Sequence, residues 1–320
     1  MNSATVNPVE TVLRDELARA DRALGGVAPV LGHVLAGSGH SLVSDAVVAR
    51  VRGMLNDLAG QFVERLAAQA GEEAADKMID FASVDALADQ LANDVPILAT
   101  LHATAMEGLL TERLDQRSNV DPVLSPLMQE LIASQDAATG ETAMQALAAQ
   151  SRFMQGQRRM QQPVLELSSE TLERALRIWV RATPVENEPR VTQAMRQLKA
   201  EYDEAQTRTG LFARLVSSMR SGVVAALELQ HAGLAIFVSA LASQSGQSRE
   251  RAILACHDDQ AARLAVSLRA VGLDAEAIER QFVALDPAVR LPRGFEDVST
   301  DNARAMLQDS LSQVHQSAGR

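Results

Sequence analysis

SDAVVARVRGMLNDLAGQFVERL, residues 44–66, is the stretch whose reading decides the fold. Ser44 and Asp45 mark a helix start. Behind them Val47, Val48, Val51, Leu55, Leu58, Phe62 and Leu66 recur at steps of three and four. That spacing lines one side of a helix with 3.6 residues per turn, whereas a half-buried strand needs strict alternation. Moving outward in both directions, Ala, Leu and Val keep helical spacing, and no run of β-branched or aromatic residues alternates. The pattern predicts an all-α protein: a multi-helix bundle or short helical stack in two packed regions, with no β-sheet.

Composition agrees. The chain has 320 residues and is 47% hydrophobic but only 3% aromatic, with Trp179 and Tyr202 the sole members of their kinds. An aliphatic core of this kind suits helix on helix, where Ala lets axes approach and Leu fills the gaps. The net charge of −11 argues against nucleic acid and against an anionic membrane surface, because both need concentrated cations. The one cysteine, Cys256, excludes an intramolecular disulfide and reads as a small buried hydrophobe after Ile253-Leu254-Ala255. The N-terminal MNSATVNPVETVLRDELARAD lacks a basic start and an apolar core, so no secretory signal is expected. The most apolar stretch, Gly222 to Ala242, is long enough to span a bilayer, yet Glu228, Gln230 and His231 interrupt it. Polar groups there are costly in hydrocarbon, so a central buried helix is expected and the chain reads as cytoplasmic.

Punctuation sets the organisation. Asn7-Pro8, Ser44-Asp45, Ser83-Val84-Asp85, Pro96, Asp121-Pro122 with Ser125-Pro126, and Ser169-Glu170 all read as helix starts. Gly37-Ser38-Gly39 reads as a turn, and Pro163 as a stop after a helix from about Glu141 to Met160. TPVENEP, residues 183–189, is the clearest linker or wide turn. Helices then follow at about 190–207, 211–219, 223–243, 248–271 and 275–285, with a loop over 286–298 and a last helix capped by Thr300 and Asp301. The regions expected are 1–165, 168–285, and a loop with terminal helix over 286–320. One pattern occurs twice: Leu110-x3-Leu114-x3-Ser118-Asn119 and Phe237-x3-Leu241-x3-Ser245-Gly246. Each ends in a residue that tolerates the left-handed conformation, with a capping residue, Asp121 or Ser248, two positions later.

GLAIFVSALASQSGQ, residues 233–247, followed by AARLAVSLRAVGLDAEAI, residues 261–278, resembles the C-terminal helical block of a family of uncharacterised alphaproteobacterial proteins. Its most distinctive piece is Gly272-Leu273 before Asp274, a helix stop followed by a new cap. The resemblance implies an all-helical fold and a bacterial cytosolic setting. It implies no activity and supplies no catalytic residues.

Candidate chemistry is sparse. Six histidines, His33, His40, His102, His231, His257 and His315, never fall four apart as zinc peptidases require. His40-Ser41 after Gly39 lacks the second glycine of a nucleophile elbow, since Val43 stands there. His257-Asp258-Asp259 is the best doublet. Helical phosphohydrolases of the HD type use a His-Asp pair with an upstream His and a downstream Asp to hold metal ions that activate water. Here His231 is the upstream candidate, and Asp286, Asp297 or Asp301 the downstream one. The opposing reading is a solvated helix break at the HDD triplet. Arg158 and Arg159 suit a helix C-terminus, or else a contact with a phosphate or an acidic partner. Glu228, Gln230 and His231 suit an internal hydrogen-bond network, or else a pocket or helix interface. No cofactor and no metal centre is expected. The expected function is a non-enzymatic adaptor, scaffold or regulator binding a protein partner or a second copy of itself. The alternatives are the HD-type phosphohydrolase and a nucleic-acid-associated regulator.

Overall fold

The computed structural model describes residues 8–36, 44–70 and 81–318, which form helices and turns with no strand among the described residues. The helices are α1 (Pro8–Ala36), α2 (Asp45–Ala67), α3 (Phe81–Ala92), α4 (Val95–Ser118), α5 (Pro126–Ile132), α6 (Ala137–Arg158) and α7 (Ser169–Ala182), followed by α8 (Glu188–Glu201), α9 (Arg208–Ser218), α10 (Leu229–Ser245), α11 (Arg249–Ala255), α12 (Ala261–Ala270), α13 (Ala275–Leu285) and α14 (Thr300–Ala318). The all-α expectation holds. The Asn7 cap, the Gly37-Ser38-Gly39 turn and the His40-Ser41 pair lie outside the described residues, as do the side chains of His33 and His315.

Caps explain most helix starts. The Ser44 hydroxyl accepts the Val47 N–H at 3.4 Å and opens α2. Ser125, Ser168, Ser248 and Asp274 cap α5, α7, α11 and α13 in the same way, and the Asp94 carboxylate accepts the Ile97 N–H at 3.0 Å to open α4. Each such bond satisfies one of the N–H groups that a helix start leaves without a carbonyl partner. The repeated helix ends close as expected, with Asn119 at φ 51° and Gly246 at φ 68°. Gly272, at φ 101°, ends α12 before the Asp274 cap.

The chain divides into two compact units, residues 1–26 with 106–147 and 212–320, and residues 27–105 with 148–211. They interleave along the sequence, unlike the consecutive regions 1–165, 168–285 and 286–320 read from punctuation. The boundaries fall inside helices, the first at Gly26 within α1, so they do not coincide with the turns between helices.

In the unit of 27–105 and 148–211, α2 packs on α3 and α8, and α7 on α3 and α8. Trp179 of α7 stacks on Phe62 of α2 with ring centroids 4.8 Å apart, and Leu58, Leu91, Leu172 and Leu198 of the same unit are buried. The segment after α6 lies against α2. The side-chain amide of Gln61 donates to the Gln162 carbonyl and accepts from the Val164 N–H, both at 2.9 Å, as a strand neighbour would. Asp57 accepts the Gln162 N–H at 2.9 Å and the Gln61 amide at 2.7 Å.

In the other unit α10 is the centre, contacting α5, α11, α12 and α13. Residues 232–242 are all buried, which is why this helix is apolar on every side. The expected helix over 223–243 requires correction. Residues Arg220–Leu227 form a 3-10 segment, and α10 begins at Leu229 and breaks at Gly233 (φ 71°, ψ 159°). That conformation is open essentially only to glycine. The Ser125 hydroxyl donates to the Ala232 carbonyl at 2.8 Å at the break. No single helix among the described residues is long and apolar enough to cross a membrane; the bent pair Arg208–Ser218 and Arg220–Leu227, which passes on length and composition, turns by 118°. The terminal helix α14 packs on α12 and buries Ala303, Met306 and Leu307.

Candidate functional site

The helix expected over 248–271 is two helices, α11 and α12, separated at Cys256–Gln260. His257 sits at that break as the cap of a 3-10 turn, its Nδ1 accepting the Asp259 N–H at 3.3 Å. Asp258 is held by Arg113 of α4, whose Nη1 donates to both carboxylate oxygens at 3.0 Å. His231 faces Glu130 instead, at 3.4 Å. His231, His257 and Asp258 therefore do not converge as an HD-type centre requires. Among the described residues no group of three or more His, Cys, Asp and Glu side chains is gathered to hold an ion.

Of Glu228, Gln230 and His231, the first bonds to Gln281, while Gln230 is exposed and His231 faces Glu130. The Gln281 amide donates to the Glu228 carboxylate at 2.9 Å and to the Ala277 carbonyl at 3.0 Å, while its oxygen accepts the Leu229 N–H at 2.8 Å. Gln281 is fully buried, and it satisfies the start of α10 where no serine or aspartate cap is present. Arg158 and Arg159 are exposed where α6 ends. The following Met160 adopts φ 56° and sits against Gly53 so closely that a Cβ there would lie 2.4 Å from the Met160 Cβ.

The strongest buried electrostatic feature was not singled out in the sequence. Arg249 forms a two-pronged pair with Glu107, Nη1 to Oε2 and Nη2 to Oε1, each at 2.7 Å. Its Nε donates to the Ser239 hydroxyl at 3.1 Å. The Glu107 side chain is only 1% exposed. Burial alone pushes the Arg249 guanidinium down, yet the charge and hydrogen bonds of Glu107 leave it above its ordinary value. Cys256 lies in the same surroundings. Burial, with Glu107 adding to it, pushes its thiol up to about 12, which makes it a packing residue rather than a nucleophile. With both prongs made and Nε satisfied, this fork is arranged to hold α4 and α11 together. The only sequence signal for it was a glutamate, Glu107, on an apolar stretch of α4.

Two surface clefts lie in the same unit. One is lined by Asp136, Thr139 and Thr142 at the start of α6 and by Ala213, Arg214 and Ser217 of α9. Its threonine hydroxyls are engaged locally, Thr142 donating to the Ala138 carbonyl at 2.8 Å and Thr139 to Asp136 at 2.6 Å. The Thr139 hydroxyl in turn holds the Asp136 carboxyl below the usual carboxylate range. The other cleft lies beside Ser118, Val283 and Asp286, where the Ser118 hydroxyl donates to the Ala284 carbonyl at 2.9 Å.

Comparison with models of protein families, with curated proteins and with solved structures returns no match.

Proposed function

We propose that this chain is a non-enzymatic interaction or regulatory protein of the bacterial cytosol, acting through its helical surface on a protein partner or on a second copy of itself. The observation that carries this reading is how the reactive side chains are used. Asp258 is held by Arg113, His257 by its own turn, Glu228 by Gln281 and Glu107 by Arg249. Each of these bonds fixes a helix end or a helix pair. The α6–α9 cleft is consistent with the same reading. Alanines contribute to its walls and its threonine hydroxyls are already satisfied, which suits an apolar side chain of a partner helix better than a polar small molecule.

The test has two arms. The full chain is used to capture a partner, which is then expressed and rebound as a purified component, and the chain alone is examined by light scattering over a range of concentrations. The expected result is a defined complex, hetero- or homomeric, that Ala213→Glu weakens. A chain that stays monomeric and rebinds no purified partner counts against the proposal. Metal-dependent hydrolysis of a phosphoester that is lost in His257→Ala would replace it.

A further inference from the structure

Apart from the α6–α9 cleft, a cationic surface forms where α6 ends against α2. Met160, at φ 56°, turns the chain so that its carbonyl oxygen and sulfur lie 3.1 and 3.3 Å from the point where a Cβ of residue 53 would stand. Gly53 admits this approach because it has no Cβ. The bonds from Asp57 and Gln61 to Gln162 and Val164 hold the following segment on the same helix. Arg52 adjoins Gly53 and Arg159 adjoins Met160, so the contact brings Arg52 of α2 to the Arg158-Arg159 pair. All three arginines are exposed, and none has an ion pair or hydrogen bond among the described residues. Nor are they needed to cap α6. The Gln155 carbonyl accepts the Arg159 N–H at 3.3 Å, and the Gly156 carbonyl accepts the Gln161 N–H at 2.9 Å.

The two segments that meet here lack carboxylates. None occurs in residues 46–56 or 142–165, although the chain as a whole has a net charge of −11. The next one along α2, Asp57, is bonded to the Gln162 N–H and to the Gln61 amide. Beside the arginines, Met160 is 39% exposed and offers an apolar contact. Guanidiniums hold carboxylates through paired N–H bonds. We propose that Arg52, Arg158, Arg159 and Met160 form a docking surface for an acidic peptide segment of a protein partner, its carboxylates on the guanidiniums and an apolar side chain on Met160. A short acidic peptide meets only the local field, because charges more than about 8–10 Å away are screened at physiological salt. A nucleic acid or an anionic membrane extends beyond that range and meets the negative charge of the rest of the chain. The surface presupposes a protein partner, the reading proposed above, but not the α6–α9 cleft.

The experiment is fluorescence anisotropy of the full chain with a labelled peptide in which glutamates flank a central leucine. The same peptide with glutamine for glutamate, single-stranded DNA, and co-sedimentation with phosphatidylserine vesicles are run beside it. Saturable binding of the glutamate peptide is expected, and it should weaken as salt is added. Arg158→Gln with Arg159→Gln should weaken it by roughly fivefold or more, and Arg52→Gln by about twofold or more. Arg177→Gln, an exposed arginine of α7, should leave it unchanged. Every replaced side chain is exposed, and circular dichroism confirms that each variant is folded. The proposal is overturned by no saturable binding of the glutamate peptide, by equal binding of the glutamine peptide, or by tighter binding of the DNA or the vesicles. It is equally overturned if Arg52→Gln or the double variant binds as the parent does, or if Arg177→Gln loses as much as they do. A partner complex that Ala213→Glu weakens and the arginine replacements do not would reject this surface and leave the cleft in place.

Discussion

Arg249→Met tests whether the buried fork is a structural strut. The substitution removes both 2.7 Å bonds from Arg249 to Glu107, whose carboxylate is only 1% exposed. Breaking one side of a buried ion pair costs about 3–5 kcal/mol, mostly because the remaining charge is stranded. With a urea m-value near the upper end of the usual range, about 3 kcal/mol per molar, the unfolding midpoint should fall by about 1 to 1.7 M. Far-ultraviolet circular dichroism at a fixed pH is the assay. The double replacement Glu107→Met with Arg249→Met should recover most of that loss, because an apolar pair of similar volume has no charge to desolvate. Ser239 tolerates the change, since its hydroxyl also donates to the Ala235 carbonyl at 2.8 Å. A single variant whose midpoint stays within about 0.2 M of the parent would refute the reasoning, and so would a double variant as unstable as the single one.

Gly233→Ala should destabilise the fold more than Gly246→Ala in thermal melts. Both need positive φ, but a Cβ at 233 lies 3.0 Å from the Ser125 Cβ while 246 faces open space; backbone strain alone accounts for about 1–3 kcal/mol, and equal losses would count against close packing at the break. Asp57 predicts a pH dependence. Burial raises its carboxyl above the ordinary 3.8 despite the opposing Gln162 and Gln61 hydrogen bonds, so the folded state holds that proton longer than the unfolded chain. Its contribution to stability therefore falls as pH rises from 3.8 through the folded value, and Asp57→Asn should gain on the parent over that window in urea midpoints taken at successive pH values. Tyr202, whose hydroxyl donates to the Leu167 carbonyl at 2.9 Å, is pushed up to about 12 by burial and by Glu204, Asp203 and Glu166. As the only tyrosine, it should titrate in the ultraviolet near that value while the protein remains folded by circular dichroism, and a midpoint at the ordinary 10 would contradict the geometry.

The helical class was legible from residues 44–66 alone, because an apolar stripe with a 3.6-residue period needs no knowledge of what covers it. Local signals read equally well: Ser44, Ser125 and Asp274 cap where expected, and Asn119, Gly246 and Gly272 take the left-handed turns. These are decided within a few residues of chain. Periodicity was less informative between 220 and 245, where apolar residues continue smoothly across the break at Gly233. A fully buried helix has no polar face whose phase could reveal the break at Gly233, whereas the break at 256–260 coincides with the polar His257-Asp258-Asp259 triplet, which the sequence also offers as a solvated helix break.

What the sequence by itself determined is the helical alphabet: which segments coil, where many of them start and stop, and an acidic, aliphatic character. Tertiary structure alone decided the pairings. Arg249 with Glu107, Asp258 with Arg113 and Gln281 with the start of α10 join residues 142, 145 and 52 positions apart. A charged side chain carries no mark of its partner until the helices are packed, since ion pairs and hydrogen bonds depend on separations of a few ångströms in space rather than on spacing along the chain.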